Sequence, residues 1–187
     1  MSQLIEDFKI SRCELIDSNA GVESDTRDLR FLERKTTGQR FEFRIRSVEL
    51  EEKEIKRVLA WFGGIRRRSD TIEVFLPGYS ESDAGAIAVS GSYVAGDYEI
   101  TLASVTGVQV GDFLTFAGHE KAYQVEEITG AVISIVPNLM RSVADAEIAN
   151  FGAVEFTTKP RGRLQRFTVD ADRNTSQIEL DLVEVWS

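Results

Sequence analysis

The sequence predicts a mainly β protein with one amphipathic helix (class α+β), in which a discontinuous, β-sandwich-like main domain is interrupted by a small β-barrel. Three patterns predict this fold. Apolar and charged residues alternate as in half-buried strands, one stretch has the helical period, and a run of short strand-like segments is separated by glycines. We place the main domain at residues 1–80 and 151–187 and the inserted barrel at residues 81–150.

The composition is that of a globular protein. The chain has 187 residues, of which 42% are hydrophobic and 28% are charged, so it is long enough to bury a substantial core. A net charge of −9 argues against specific nucleic-acid binding, because phosphate contacts draw on clustered lysine and arginine. No apolar run approaches the roughly 20 residues of a membrane helix, so we expect no membrane partner.

The N-terminal segment and the single cysteine indicate the cellular compartment in which the protein folds. Residues 1–10 lack the basic stretch followed by an apolar one that marks a signal peptide, and we expect folding in a cytoplasm. Cys13 cannot form an intrachain disulfide, and its simplest interpretation is a small hydrophobe. The basic run at residues 66–68 follows a helical pattern, where cations complement the helix dipole, so we interpret it as structural.

The first predicted element is a β-hairpin at residues 27–48. Phe41, Phe43 and Ile45 alternate with charged residues, which predicts a strand with one buried face. Residues 36–39 contain a glycine that permits a tight reversal, so this strand is predicted to pair with the apolar stretch before it.

The helix follows the hairpin. Between residues 51 and 62 apolar side chains recur at helical spacing, acidic residues begin the stretch, and Gly63 is predicted to end the helix. The next strand, at residues 71–76, is predicted to stop at Pro77 and Gly78, a dipeptide typical of turns.

The middle of the chain predicts the barrel. Residues 81–96 are rich in Ser, Gly and Ala, which indicates a linker or a loosely packed entry into a new unit. Strands separated by glycines are then predicted at residues 98–102, 112–116, 121–128 and 131–136. Such short strands favour a closed barrel, because closure removes exposed edges.

The last stretch returns to longer alternating segments. Strands are predicted at residues 152–157, 164–169 and 176–186, and they complete the main domain. In the final strand Ile178, Leu180 and Leu182 alternate with Glu179 and Asp181, so one face is predicted to be buried.

Two stretches carry a resemblance to a known family. The first runs from Leu59 to Tyr79 and ends in Ile72-Glu73-Val74-Phe75-Leu76-Pro77-Gly78-Tyr79. The second is Val110-Gly111-Asp112-Phe113-Leu114-Thr115-Phe116-Ala117-Gly118-His119-Glu120-Lys121-Ala122-Tyr123-Gln124-Val125. With the order of hairpin, helix, strand, inserted barrel and closing strands, the sequence resembles the distal tail protein family of siphophages. The resemblance is to the subgroup whose inserted domain is an OB-type barrel, and it covers roughly residues 27–187.

The resemblance implies a structural virion protein without a cofactor. Members of this family form a hexameric ring at the tail tip, between the tail tube protein and the tip or baseplate hub protein. The ring leaves an opening for the tape measure protein and the genome. We therefore expect a homohexamer located in the virion, assembled in the host cytoplasm, with no enzymatic activity.

Chemical alternatives find little support in the residues. His119 is the only histidine and lies in a polar turn between predicted strands, so we interpret it as a surface residue. One cysteine and one histidine exclude a Cys/His zinc cluster by count, and we predict no catalytic, cofactor-binding or metal-binding residues. A glycosidase pair among the many carboxylates stays open, because spacing alone does not test it.

A binding module is the alternative function. Barrels of this type often bind carbohydrate or single strands through aromatic side chains on one face. Tyr93, Tyr98 and Tyr123 are therefore candidate glycan contacts of a carbohydrate- or host-surface-binding module, while most aromatics of this region are expected in the barrel core.

Overall fold

The computed structural model of the chain describes residues 2–3, 8–18, 21–25, 31–35, 39–68, 70–76, 78–161, 166–170 and 175–186. These residues form a mainly β structure with one helix, which confirms the predicted class. No helix in this part of the chain is both long and apolar enough to cross a membrane.

The described strands range from two residues in β1 to ten in β16. The helix α1 is Glu52–Arg68. In chain order the strands are β1 Ser2–Gln3, β2 Ile10–Ser18, β3 Gly21–Asp25, β4 Phe31–Lys35, β5 Arg40–Ser47, β6 Leu50–Glu51, β7 Ile72–Phe75, β8 Ala86–Ala88, β9 Glu99–Thr101, β10 Phe113–Phe116, β11 Tyr123–Thr129, β12 Val132–Val136, β13 Ile148–Asn150, β14 Glu155–Pro160, β15 Arg166–Asp170 and β16 Thr175–Glu184.

The chain divides into two compact units. The first contains the described residues of 1–16, 41–76 and 155–187, and the second contains those of 17–40 and 77–154. The boundaries that the sequence suggests, at 80/81 and 150/151, stay predictions.

The first unit is built on one sheet with the strand order β1-β7-β14-β16-β5-β2. The central strand β16 pairs antiparallel with β5, β6, β14 and β15, and β1 pairs parallel with β7. The predicted strand at residues 176–186 is thus the centre of the sheet. The described strands of this unit belong to a single sheet, so the finer prediction of two packed sheets is not shown.

One face of this sheet forms an apolar core. Phe156 of β14 lies between two aromatic side chains of β5, with ring centroids 4.9 Å from Phe43 and 5.7 Å from Phe41. All three side chains are at most 2% exposed. Alternate residues of β16, Ile178, Leu180 and Leu182, are buried as their spacing predicts.

The helix is longer than the sequence predicts. It begins where the Glu51 N–H donates to Glu54 Oε2 at 2.8 Å, which satisfies one of the free donors of the first turn. The prediction that it ends at Gly63 is wrong, because it continues to Arg68. Val58, Phe62 and Ile65 are buried along one stripe, and burial of Ile65 beyond the glycines outweighs their low helix propensity.

Because Gly63 is exposed inside the helix, Gly63→Ala is expected to raise the free energy of unfolding by about 0.5–1 kcal/mol. A Cβ added at this position meets no atom within 4 Å, so nothing opposes the gain. Urea unfolding followed by tryptophan fluorescence measures it. Ala60→Gly, at another exposed position of α1, is the matched control and should lose a similar amount; lower stability of Gly63→Ala would contradict the prediction.

The second unit contains a six-stranded sheet with the order β8-β13-β10-β11-β12-β9, in which every described pair is antiparallel. A bridge between Val89 and Leu102 joins the two ends of this order. On either side of it, the Ser90 N–H donates to the Thr101 carbonyl at 2.8 Å and the Ala103 N–H donates to the Ala88 carbonyl at 2.9 Å. The sheet therefore closes on itself.

Two predictions in this region are wrong. Residues 81–96 are not a linker, because they contain β8, and Ile87 and Val89 are buried among the core residues of the closed sheet. The predicted hairpin is also paired differently, because β4 pairs with β3, from Gly21↔Lys35 to Asp25↔Phe31, and not with β5. The turn predicted at residues 36–39 lies largely outside the described residues. In glycine-rich or weakly alternating segments the local sequence does not indicate which strands pair, because contacts with distant residues determine the pairing.

Candidate functional site

The candidate site is the edge of the first unit's sheet that β2 forms among the described strands. This strand stands at the end of the strand order, next to β5, and contains nine residues without proline or glycine. Leu15 and Ile16 are 38% and 43% exposed at adjacent positions, so apolar side chains project on both faces of the edge. A long edge strand of this kind presents a row of backbone donors and acceptors that another strand can pair with.

A ladder of charges crosses three strands beside this edge. Arg12 Nη2 lies 2.8 Å from Glu14 Oε1, Arg44 Nη1 lies 3.8 Å from Glu14 Oε2, and Arg44 Nε donates to Asp181 Oδ1 at 2.9 Å. The hydrogen bond to Asp181 raises the pKa of Arg44, and the charge of that carboxylate acts in the same direction. These pairs are exposed, so each contributes little stability, and their main effect is to fix the orientation of the side chains.

A shallow pocket of about 170 Å³ opens beside the same edge. Its walls contain two arginines and two acids, so its charges balance, and Arg161 is paired with Glu42. The exposed side chain of Ile16 forms its apolar rim. The complete lining is Ile16, Glu42, Phe43, Arg44, Arg161, Asp181 and Leu182. A pocket of this size accommodates one side chain of another protein, not a large ligand.

Buried polar side chains hold β5 in place beneath this edge. Glu184 is 1% exposed, and its Oε2 accepts a hydrogen bond from the Phe41 N–H at 3.1 Å. Near the other end of β5, Ser47 Oγ accepts from the Ile178 N–H at 3.0 Å. Both side chains accept hydrogen bonds from backbone N–H groups near the ends of the ladder between β5 and β16. They therefore hold β5, the neighbour of β2, in position.

Cys13 lies in the middle of the edge strand. Partial burial raises the pKa of its thiol from 9.0 to about 11, and the negative charge of Glu14 acts in the same direction. The thiol is thus protonated at neutral pH, which disfavours nucleophilic chemistry.

Alkylation of Cys13 by iodoacetamide should therefore be slow in the folded protein at about pH 8 and should accelerate up to about pH 11. Because Cys13 is the single cysteine, mass spectrometry of the intact chain follows this reaction directly. The urea-unfolded chain is the control and should react at least about tenfold faster at pH 8. A folded-state rate that levels off near pH 9 would disprove the shift.

The three predicted glycan contacts occupy different environments. Tyr98 is 52% exposed. Tyr93 is half-buried, and its hydroxyl donates to the Ser90 carbonyl at 3.0 Å and accepts from the Thr101 N–H at 2.9 Å. Tyr123 is fully buried, so its ring offers no face to a sugar, and its hydroxyl accepts from the Met140 N–H at 3.1 Å. The three rings therefore do not form one platform.

His119 is not the surface residue that the sequence suggests. It follows the turn after β10, but its side chain is only 6% exposed. Its ring lies 5.4 Å from Phe116 and 6.3 Å from Tyr123, and Nε2 lies 3.8 Å from Glu147 Oε1. The residues next to His119 in the sequence are polar and indicate a surface turn. The burial depends on contacts with Glu147, which is distant along the chain, so the local sequence does not reveal it.

Sequence reasoning missed the β2 edge altogether. The strand lies in residues 1–26, which the resemblance does not cover, and its apolar residues alternate only weakly. A nine-residue stretch without glycine or proline was the available signal. Within the described residues, no three His, Cys, Asp or Glu side chains come together in a group suited to a metal ion.

Comparison with known proteins adds no relative. No protein-family model matches the chain, and no curated protein sequence matches it significantly.

Proposed function

We propose that this protein is a structural, non-enzymatic virion protein of a phage tail tip, of the distal tail type, which forms a hexameric ring between the tail tube and the tip or baseplate hub. The proposal rests on the resemblance of residues 27–187 to that family. The observation that supports it most is the insertion point. Phe75 of β7 and Glu155 of β14 are cross-strand partners, and residues 77–154 of the second unit lie between them in the chain.

The proposal includes a barrel of the OB type for the inserted unit and a sandwich-like main domain. In favour of the barrel, six short strands close through Val89 and Leu102 around a common core. An OB fold has five strands, so this part of the proposal requires that one strand has been added to the family's barrel.

Ring formation requires an open contact surface on each subunit. A ring is built from heterologous contacts, in which one surface of a subunit meets a different surface of the next. Among the described strands β2 is the last of the sheet, and it supplies exposed Leu15 and Ile16 with a charge-balanced pocket beside them. We propose that this edge and pocket receive a neighbouring subunit by strand addition.

Native mass spectrometry and negative-stain microscopy of the full chain test the proposal. We expect six-membered rings, either alone or after mixing with the tail tube protein encoded by the same genome. Flanking genes for a tape measure protein and a hub protein would agree with this expectation. A monomer under both conditions, at all concentrations, would overturn it.

One observation favours the second candidate, a carbohydrate- or host-surface-binding barrel. Tyr98 is 52% exposed and lies two residues after Gly96, whose carbonyl accepts a hydrogen bond from the Asn138 side chain at 2.9 Å. An exposed aromatic ring and an amide thus adjoin the same turn. Titration calorimetry of the full chain against the host's surface polysaccharide tests it. Binding heat that disappears in Tyr98→Ala supports this function, and absence of heat with the unchanged protein eliminates it.

A further inference from the structure

Three turns of the second unit share one geometry. In the turn at residues 94–97, the Asp97 N–H donates to the Val94 carbonyl at 3.1 Å, and Asp97 Oδ2 accepts from the Val94 N–H at 2.8 Å. The turn at residues 109–112 repeats both bonds, at 3.1 and 2.9 Å, with Asp112 as the acceptor. In both turns the third residue is a glycine with positive φ.

The third turn, at residues 144–147, keeps the bonds but changes the residues. Glu147 replaces aspartate, and its Oε2 accepts from the Ala144 N–H at 2.9 Å. Ala146 replaces glycine and has a φ of 63°, a conformation that residues with a Cβ rarely adopt. The longer side chain of Glu147 gives this turn a second contact, because its other oxygen reaches to 3.8 Å from His119 Nε2.

His119 is enclosed between two elements. Phe116 of β10 and Tyr123 of β11 flank its ring on one side, and the segment 137–147 supplies Arg141, Ser142 and Glu147 on the other. Its Nδ1 is buried and has no hydrogen-bond partner among the described residues. The contact between His119 and Glu147 thus links the β10–β11 connection to the segment that precedes β13.

Protonation of His119 is unfavourable in this environment. It places a positive charge, with an N–H on both ring nitrogens, on a side chain that is only 6% exposed, so the charged form loses most of its hydration. The Glu147 carboxylate offsets only part of this cost. Its Oε1 lies 3.8 Å from His119 Nε2, beyond hydrogen-bond length, and its Oε2 accepts from the Ala144 N–H.

The charged groups that face the ring act in opposite directions. Burial lowers the pKa of His119 below 6.5 and is the largest effect. The Glu147 carboxylate and the Ser142 carbonyl raise the pKa, and the Arg141 guanidinium lowers it. The folded unit therefore binds fewer protons than the unfolded chain, so its stability is complete above about pH 6.5 and decreases as the pH falls toward the pKa of the folded state.

We propose that His119 and Glu147 form an acid-sensitive latch, which holds residues 137–147 against the β10–β11 connection while His119 is neutral and releases them when it is protonated. The latch lies within the second unit and does not depend on ring assembly. Its release would let water reach Nδ1 and would separate the Met140 N–H from the Tyr123 hydroxyl.

Two measurements on the full chain test the latch. Because His119 is the only histidine, an NMR titration of its imidazole protons reports its pKa directly, and we expect a value below 6.5. Hydrogen exchange, corrected for the intrinsic effect of pH, should then show protection of residues 137–147 falling by about tenfold between about pH 7.5 and pH 5. The turn at residues 109–112 has the same geometry without a histidine contact, and its protection should not change.

Three variants complete the test. His119→Gln should abolish the pH dependence of exchange, and Glu147→Asp, which keeps the turn bond but withdraws the second oxygen, should move the transition to lower pH. Ala146→Gly relieves the turn and should leave the transition where it is. A His119 pKa at or above 6.5, or equal protection of residues 137–147 at both pH values in the unchanged protein, would overturn the latch even if a variant fails to fold.

Discussion

Replacing Phe156 with alanine should lower the free energy of unfolding of the first unit by about 3–5 kcal/mol. Phe156 is fully buried and contacts the rings of Phe41 and Phe43, so its removal leaves a cavity at the centre of the apolar face and removes two aromatic pairs. The loss is a large fraction of the whole stability of an average domain, about 5–15 kcal/mol, so the variant should unfold at a markedly lower urea concentration.

Tryptophan fluorescence during urea unfolding measures this loss selectively. The chain has two tryptophans, Trp61 and Trp186, and both belong to the first unit. Phe75→Ala is the matched control, because Phe75 lies on the neighbouring strand β7 and is only half-buried, and its loss should be less than half as large. Equal losses in the two variants would show that Phe156 is not central to the core.

Ile16→Lys should abolish the assembly of the proposed ring while leaving the subunit folded. Ile16 is 43% exposed, so a lysine is solvated in the free subunit. In a strand-paired contact the same ammonium would be buried beside a pocket whose two acids already face two arginines. An unpaired charge at an interface typically costs about 2–5 kcal/mol, which weakens association by a factor of about 30 to several thousand.

Light scattering at matched concentrations compares this variant with Leu59→Lys. Leu59 is 39% exposed in α1, a helix that contacts β6 and β16, so its lysine variant has the same change of charge and should still assemble. Alkylation of Cys13, which lies in the middle of β2, gives a second measure, because pairing of β2 should protect the thiol further. Normal rings from Ile16→Lys would exclude β2 from the contact.

The elements that the sequence predicts well are those whose local pattern is strong. In β16, the alternation of Ile178, Leu180 and Leu182 with acids leaves one face to bury, and the structure buries that face. The start of α1 is similarly well defined, since acids precede an apolar stripe. In both elements the periodic spacing places the apolar residues on one face, and the folded protein buries that face.

The failures arise where distant residues decide. Gly63 is a helix terminator by local propensity, but the buried Ile65 lies beyond it and extends the helix. β4 pairs with a strand that precedes it, which the glycine at residues 36–39 cannot reveal. The β2 edge was invisible for the same reason, because a strand becomes an edge only through the order of the sheet, and no pattern within the strand encodes that order.

The pairing of β7 with β14 makes the chain modular at one point. Antiparallel neighbours need no more than a two-residue turn to connect them, and Phe75 and Glu155 already face each other across the ladder. The main sheet thus requires nothing from residues 77–154 to close its own ladder. Residues 77–154 can therefore be lengthened, exchanged or removed without loss of the strand pairs that hold the first unit's sheet together.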